Sequence, residues 1–188
     1  MPLPDSNRLR LLLIVAIVLG GLGFGLIDTT LSRYFKPFLA APREGATAPD
    51  FTLSTLDGKS ITLSNLRGQV VIVNLWIAWC LPCQAKMPTL NEVYQTYRDD
   101  SLVMLGVNST IQDSESAARA FASEHQLDFP ILLDHDGVVS HQYQLQSLPT
   151  TFFIDRDGII TSIIPGGPMS LFLIKSKIIP LLSKNSTP

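Results

Sequence analysis

Cysteine is scarce in this chain: 188 residues hold two, and both fall in the pentad Trp79-Cys80-Leu81-Pro82-Cys83. No thiol remains for a structural disulfide framework or for attachment of a lipid, and so sparse a count does not by itself fix a redox compartment. Basic charge is not in excess either. Fourteen Lys and Arg against 16 Asp and Glu leave a net charge of −2, which removes the electrostatic footprint of a nucleic-acid binder. Only three histidines occur, His125, His135 and His141. Internal repeats and low-complexity tracts are also lacking.

What is there begins with the two cysteines. They follow the apolar run Val70–Trp76 and precede a helix-like stretch. Two intervening residues put the thiols one helical turn apart if Cys80 opens a helix, close enough for a small disulfide. At a helix N-terminus the unpaired N–H groups and the positive end of the dipole favour a thiolate. Such a site lowers a thiol pKa from about 8.5 toward about 7 or below. Cys80 is therefore the expected nucleophile and Cys83 the resolving thiol. Cys83, Met87, Leu90, Tyr94 and Tyr97 recur at steps of four and three, so Cys83 falls on the buried stripe of an amphipathic helix and Cys80 is expected to be exposed. Pro82 suits the first turn, where its missing N–H is not needed, whereas Pro88 is expected to kink the helix.

Other readings of a CxxC stay open on spacing alone. Zinc needs two more ligands, from the three histidines or from carboxylates, and the gap from Cys83 to His135 and His141 is too long for a finger. A purely structural disulfide here closes a loop too small to constrain a core of this size. The histidines lie in helix or turn positions near acidic residues, where the default is a solvated surface role.

The N-terminus carries the other long signal. Leu11–Ile27 is an uncharged, almost wholly apolar run of about 17 residues, at the lower limit for a membrane-spanning helix, and Leu9 extends it if Arg10 snorkels. It reads as a retained signal anchor. The rival is a cleaved signal peptide, but the residues after the run offer a poor small-x-small site. Arg8 and Arg10 face Arg33, Lys36 and Arg43 across it, so the positive-inside count does not decide orientation. The expected organisation is a tail at 1–10, the anchor at 11–27, a tether at 28–48, one domain at 49–183 and a tail at 184–188. The Leu31–Ala48 part of the tether spans at most about 60 Å when extended.

Within the domain, Phe51–Leu53 and Ser60–Leu63 flank the turn signal Asp57-Gly58 and are expected to form a hairpin. Val70–Trp76 and Leu102–Val107, separated by a helix over Pro82–Asp99, make a βαβ unit with parallel pairing. Ser114 can cap a helix reaching about His125. A short helix near Val138–Tyr143 follows. Thr151–Ile154 and Ile159–Ile164 form a second hairpin, and Ser170–Leu182 closes as a helix that Pro180 bends or ends.

The strand at Val70–Trp76, the Trp79–Cys83 pentad, Pro88, and the later Ser147-Leu148-Pro149-Thr150-Thr151-Phe152-Phe153-Ile154-Asp155 resemble a thioredoxin fold. Ala48-Pro49-Asp50-Phe51-Thr52-Leu53 and Gly68–Trp76 are similar to the membrane-anchored thiol-disulfide oxidoreductases of the TlpA/ResA type. The resemblance covers about residues 46–183. It implies an α/β thioredoxin-like fold, a central mixed sheet flanked by helices with an N-terminal hairpin extension, held outside the cytoplasm by the anchor. It implies a cis Pro149 facing the CxxC, with Leu148 offering backbone groups to a substrate chain; residue physics alone favours a trans proline that opens a strand. Trp79 either lines the substrate groove or packs. Leu81 and Pro82 fill the space between the thiols, and Leu81 adds no donor or charge.

Three departures stand out. Thioredoxin has a buried carboxylate six residues before its first cysteine; here that position is Asn74, to which a core or hydrogen-bonding role falls. Peroxiredoxins place a threonine three residues before their reactive cysteine; here it is Ile77. ResA-like proteins commonly have a glutamate where this chain has Lys86. That lysine is either a solvated charge or an ammonium that stabilises thiolate and makes the disulfide more oxidising. The function implied is electron exchange with protein thiols and disulfides without a cofactor, with apocytochrome c as the leading substrate and an integral membrane electron donor. The alternative from a different class is a metallochaperone holding Cu(I) between Cys80 and Cys83.

Overall fold

The computed structural model describes residues 42–183. The anchor read at Leu11–Ile27, most of the tether and the tail at 184–188 lie outside them. Strand β1 (Thr52–Thr55) turns into β2 (Ser60–Thr62), and β3 (Val70–Trp76) leads to helix α1 (Leu81–Tyr97). Then come β4 (Leu102–Asn108), α2 (Glu115–Glu124), β5 (Ile131–Leu133), α3 (Val138–Gln142), β6 (Thr150–Ile154), β7 (Ile160–Pro165) and α4 (Leu171–Ser183). The sheet order is β2-β1-β5-β4-β3-β6-β7.

At the centre, β3 and β4 pair in parallel from Val70↔Leu102 to Trp76↔Asn108, the arrangement expected of a βαβ unit. Strand β6 runs antiparallel to β3 on its other side, and β5 runs parallel to β4. All seven residues of β3 are buried, and their alternation splits the core into two layers. Val70, Ile72 and Trp76 face one cluster with Cys83, Met87 and Leu90 of α1, Phe121 of α2 and Ile174 of α4. Val71, Val73 and Leu75 face the other, with Phe51, Leu63, Val139 of α3 and Tyr143. Gly106 in β4 is needed for the first layer to close: a Cβ there would meet Ile131 Cδ1 at 2.8 Å and Phe129 Cε2 at 2.9 Å.

The structure departs from the sequence reading at several elements. Strand β5 was not foreseen; three residues between Pro130 and Asp134 are too few to show a period. It matters, because the N-terminal hairpin attaches through it, Ser54 opposite Leu133 and Thr55 opposite Leu132. Pro88 lies inside its helix, as read, and of the two outcomes open for Pro180, a bend or an end, the helix does not end there. The last part of the segment read as a tether runs along the end of the second hairpin: Gly45 N–H donates to Ile160 O at 2.8 Å, and Ala48 N–H to Gly158 O at 3.0 Å. Ser114 does cap α2, its hydroxyl oxygen accepting from Ala117 N–H at 3.1 Å.

Because β3, β4, β5 and β7 run one way and β6, between β3 and β7, runs the other, one end of the sheet gathers five segments. These are the 77–80 turn, the 109–113 loop, the start of α3, Leu148–Pro149 and Gly166–Pro168.

Candidate active site

Cys80 is the N-cap of α1, with extended backbone, and Pro82 occupies the first turn. Its sulfur accepts the N–H of Cys83 at 3.2 Å. The two residues are joined by a disulfide with Cα atoms 5.2 Å apart, within the range such a bond requires. One of the helix's four orphan N–H groups thus already points at Cys80 sulfur, and it strengthens when that sulfur carries charge. Cys83 has no exposed surface, as the stripe predicts, but Cys80 keeps only 8% of its own. The expected openness of Cys80 is therefore corrected to a narrow window, with the Leu148 backbone across it.

The Leu148–Pro149 peptide is cis, as the family resemblance implied. Leu148 O lies 3.7 Å from Cys80 Sγ. In the disulfide that sulfur has no proton, so this is a contact; a reduced Cys80 thiol could donate across it. Pro149 is buried and its carbonyl accepts from Gly166 N–H at 2.6 Å.

Around this window the surface is apolar. Trp79 is 66% exposed and Leu81 75% exposed, while the Pro82 side chain is also at the surface. Trp79 is nevertheless held: its indole N–H donates to Gln112 O at 3.1 Å. The preceding residue is held too, Ala78 N–H donating to Asp113 Oδ2 at 2.6 Å, an oxygen that also accepts from Asn108 Nδ2 at 2.8 Å. The Gln112-Asp113 clamp was missed in the sequence. The residues it holds, Ala78 and Trp79, lie more than thirty residues away, and nothing local distinguishes Asp113 from any acid in a loop.

Lys86 is the largest correction. In place of a solvated charge at the edge of the stripe, it is fully buried on α1. Its ammonium donates to Gly166 O at 2.8 Å, and loss of water pushes its pKa down to about 8. Gly167 explains how the stem is covered. A Cβ there would lie 2.9 Å from Pro82 O, 3.3 Å from Pro149 Cγ and 3.6 Å from Lys86 Cδ, so the glycine lets the loop close over all three.

Asn74, also fully buried, accepts from Thr151 Oγ1 at 2.8 Å and directs its amide toward Met87 Sδ at 3.9 Å. It has the hydrogen-bonding role expected. His125 stacks on Phe121 with ring centroids 4.1 Å apart, and His135 lies 3.8 Å from Glu115. None of the three histidines is grouped with the cysteines, and among the described residues no cluster of three or more His, Cys, Asp or Glu could hold a metal.

A pair of thiols that closes on itself within one turn, one sulfur buried and the other reachable beside an open backbone carbonyl, exchanges electrons with an incoming disulfide by attack of sulfur on sulfur. On this sheet, with this proline, the class is a thioredoxin-fold thiol-disulfide oxidoreductase. The chain belongs to the AhpC/TSA family, whose sequence model matches residues 45–163. It is 37% identical over 153 residues to the thiol-disulfide oxidoreductase ResA of Geobacillus thermodenitrificans, which covers 81% of this chain and 84% of that protein. It is 40% identical over 122 residues to the thioredoxin-like protein YneN of Bacillus subtilis, covering 64% and 71% respectively. Among solved structures it is similar to a secreted disulfide oxidoreductase of Mycobacterium tuberculosis homologous to E. coli DsbE, with a TM-score of 0.63, 26% identity and coverage of 70% of this chain and 96% of that one.

Proposed function

We propose that this oxidoreductase works outside the cytoplasm, tethered by Leu11–Ile27, and exchanges electrons with cysteines of other proteins, with Cys80 as nucleophile and Cys83 as resolving thiol. The observation that carries the reading is the asymmetry of the pair: Cys80 at the helix N-cap with a residual opening, Cys83 with none. In the reducing direction the Cys80 thiolate attacks a partner disulfide; a mixed disulfide forms and one partner sulfur leaves as thiolate. Cys83 then attacks Cys80 sulfur, the intramolecular disulfide closes, and the second partner sulfur is released. Two electrons have moved to the partner, and an integral membrane donor returns two electrons and two protons to Cys80 and Cys83. No cofactor enters the cycle. Apocytochrome c is the leading substrate on family resemblance, with Trp79, Leu148 and Pro149 receiving its chain. Lys86, with Leu81 and Pro82 between the thiols, tunes the pair: a buried ammonium one turn beyond Cys83 favours thiolate and a more oxidising disulfide.

The test is trapping. Cys83→Ser in the full-length protein should accumulate a mixed disulfide, because the bond to the partner forms and its release thiol is gone; Cys80→Ser should trap far less. Non-reducing gels followed by mass spectrometry read this out and identify the partner. Equal trapping, as two equivalent copper ligands would give, or none from either variant, would overturn the roles. The tether is tested on the same membranes: the protein should resist alkaline wash, and recovery of a soluble form beginning near Ser32 would show a cleaved signal.

A further inference from the structure

The geometry points to Lys86 as a positioning residue that holds the substrate-facing rung Leu148–Pro149 in place through the Gly166–Gly167 loop. This rests on the reading that Leu148 and Pro149 meet the substrate chain. The connection is short and continuous. Lys86 Nζ donates to Gly166 O at 2.8 Å, Gly166 N–H donates to Pro149 O at 2.6 Å, and the neighbouring Leu148 O stands 3.7 Å from Cys80 Sγ. Gly167 closes the same loop against Pro82 O and the Pro149 ring from the outside.

The loop needs such a restraint. It joins β7 to α4 through two successive glycines, Gly166 with φ +78°, the most freely moving backbone a chain can use. A hydrogen bond from an ammonium is roughly twice as strong as a neutral one and directional enough to fix a carbonyl. A buried lysine is also a costly way to fill space. Methionine would pack as well without desolvating a charge, and an unpaired buried charge is unfavourable enough that this one is explained by what it binds. The charge of Lys86 bears on the cysteines whether or not the loop is fixed. Its hydrogen bond bears on the partner chain, because it sets where Pro149 stands.

Two variants separate these effects. Lys86→Met removes the donor and the charge; Gly167→Ala keeps both and forces the loop outward against Pro82 O. Each is assayed as reduced full-length protein in its membrane, with oxidised insulin as a polypeptide disulfide and dithiobisnitrobenzoate as a disulfide with no peptide backbone. The thiolate fraction cancels in the ratio of the two rates. For loss of one positioning hydrogen bond, the ratio of kcat/KM for insulin to that for the aryl disulfide should fall about five- to tenfold in both variants, the loss lying in KM. An unchanged ratio in either variant, with the Cys80–Cys83 disulfide still forming, overturns the positioning role. Failure of the wild type to react with insulin at all, or of Cys83→Ser to trap a partner, would sink the proposed function.

Discussion

The turn Leu56–Lys59 and the loop Gly166–Pro168 lie at opposite ends of one sheet, and the bonds that hold them differ in reach. In the turn, Thr55 Oγ1 donates to an Asp57 carboxylate oxygen and accepts from Lys59 N–H at 3.0 Å, and Lys59 Nζ pairs with Asp57 at 2.7 Å. These partners lie within four residues, and the turn's long-range bonds, Leu56 N–H to Ile131 O at 3.0 Å and Arg119 Nη2 to Leu56 O at 2.9 Å, attach only its first residue. The Lys59 hydrogen bond, helped by Thr55, holds the Asp57 carboxyl down at about 2. At the other end, Lys86 reaches Gly166 across eighty residues of chain and Asp113 reaches Ala78 across 35. The reversal of the chain itself closes on near neighbours. A site that must hold a reactive sulfur between several segments needs distant ones, and there the molecule buries charge.

Reversing that buried charge is the strongest way to break the contrast. Lys86→Glu should raise the Cys80 thiol pKa by about one to three units and make the disulfide more reducing, read by alkylation rates against pH and by redox titration. An unchanged thiol pKa would remove Lys86 from the tuning.

The cost of burying the ammonium gives the next effect. In the unfolded chain Lys86 keeps its proton to 10.5, in the fold only to about 8. Between those values the unfolded state binds more protons, so stability rises with pH. In the oxidised protein, where no thiol titrates, wild type should gain up to about 3 kcal/mol relative to Lys86→Met across the window, measured by denaturant melts. Comparing the two proteins cancels Tyr143, whose phenol burial pushes upward.

Smaller again is the carboxylate on the other side of the disulfide. Asp113→Ala frees Ala78 N–H just before Cys80, and loss of one charge-assisted bond there should lower kcat/KM on the order of tenfold. The local turn should matter least: Asp57→Ala is expected to leave activity unaltered and to lower the melting temperature slightly. That difference should fade as pH falls from 3.8 to about 2, since a depressed carboxyl stabilises only while ionised. A marked loss of activity would show that the two ends are coupled.

The same contrast governs what could be read from residues alone. Asp57-Gly58 and Ser114 declare their structures because the bonds they make close within a few positions. The CxxC at the start of a helix is legible for the same reason, and the cis proline only through family resemblance. Spacing leaves Lys86 either a solvated charge or an ammonium beside the thiols because its helix position is marginal; what encloses it comes from the far end of the chain, Gly167 against its stem and Gly166 O at its ammonium. Strand β5 and the Asp113 clamp were invisible for the same cause, since each is defined by partners that sequence order keeps apart.

The two tryptophans carry one more consequence. Trp76 is wholly enclosed, while Trp79, next to Cys80, is two-thirds open to water and fixed through Gln112. An enclosed indole emits at shorter wavelength than a wet one, and a disulfide at close range drains the excited state of an adjacent ring. Reduction of Cys80–Cys83 should therefore brighten the long-wavelength part of the emission more than the short, giving an unlabelled protein its own optical gauge of how many molecules hold the bond closed.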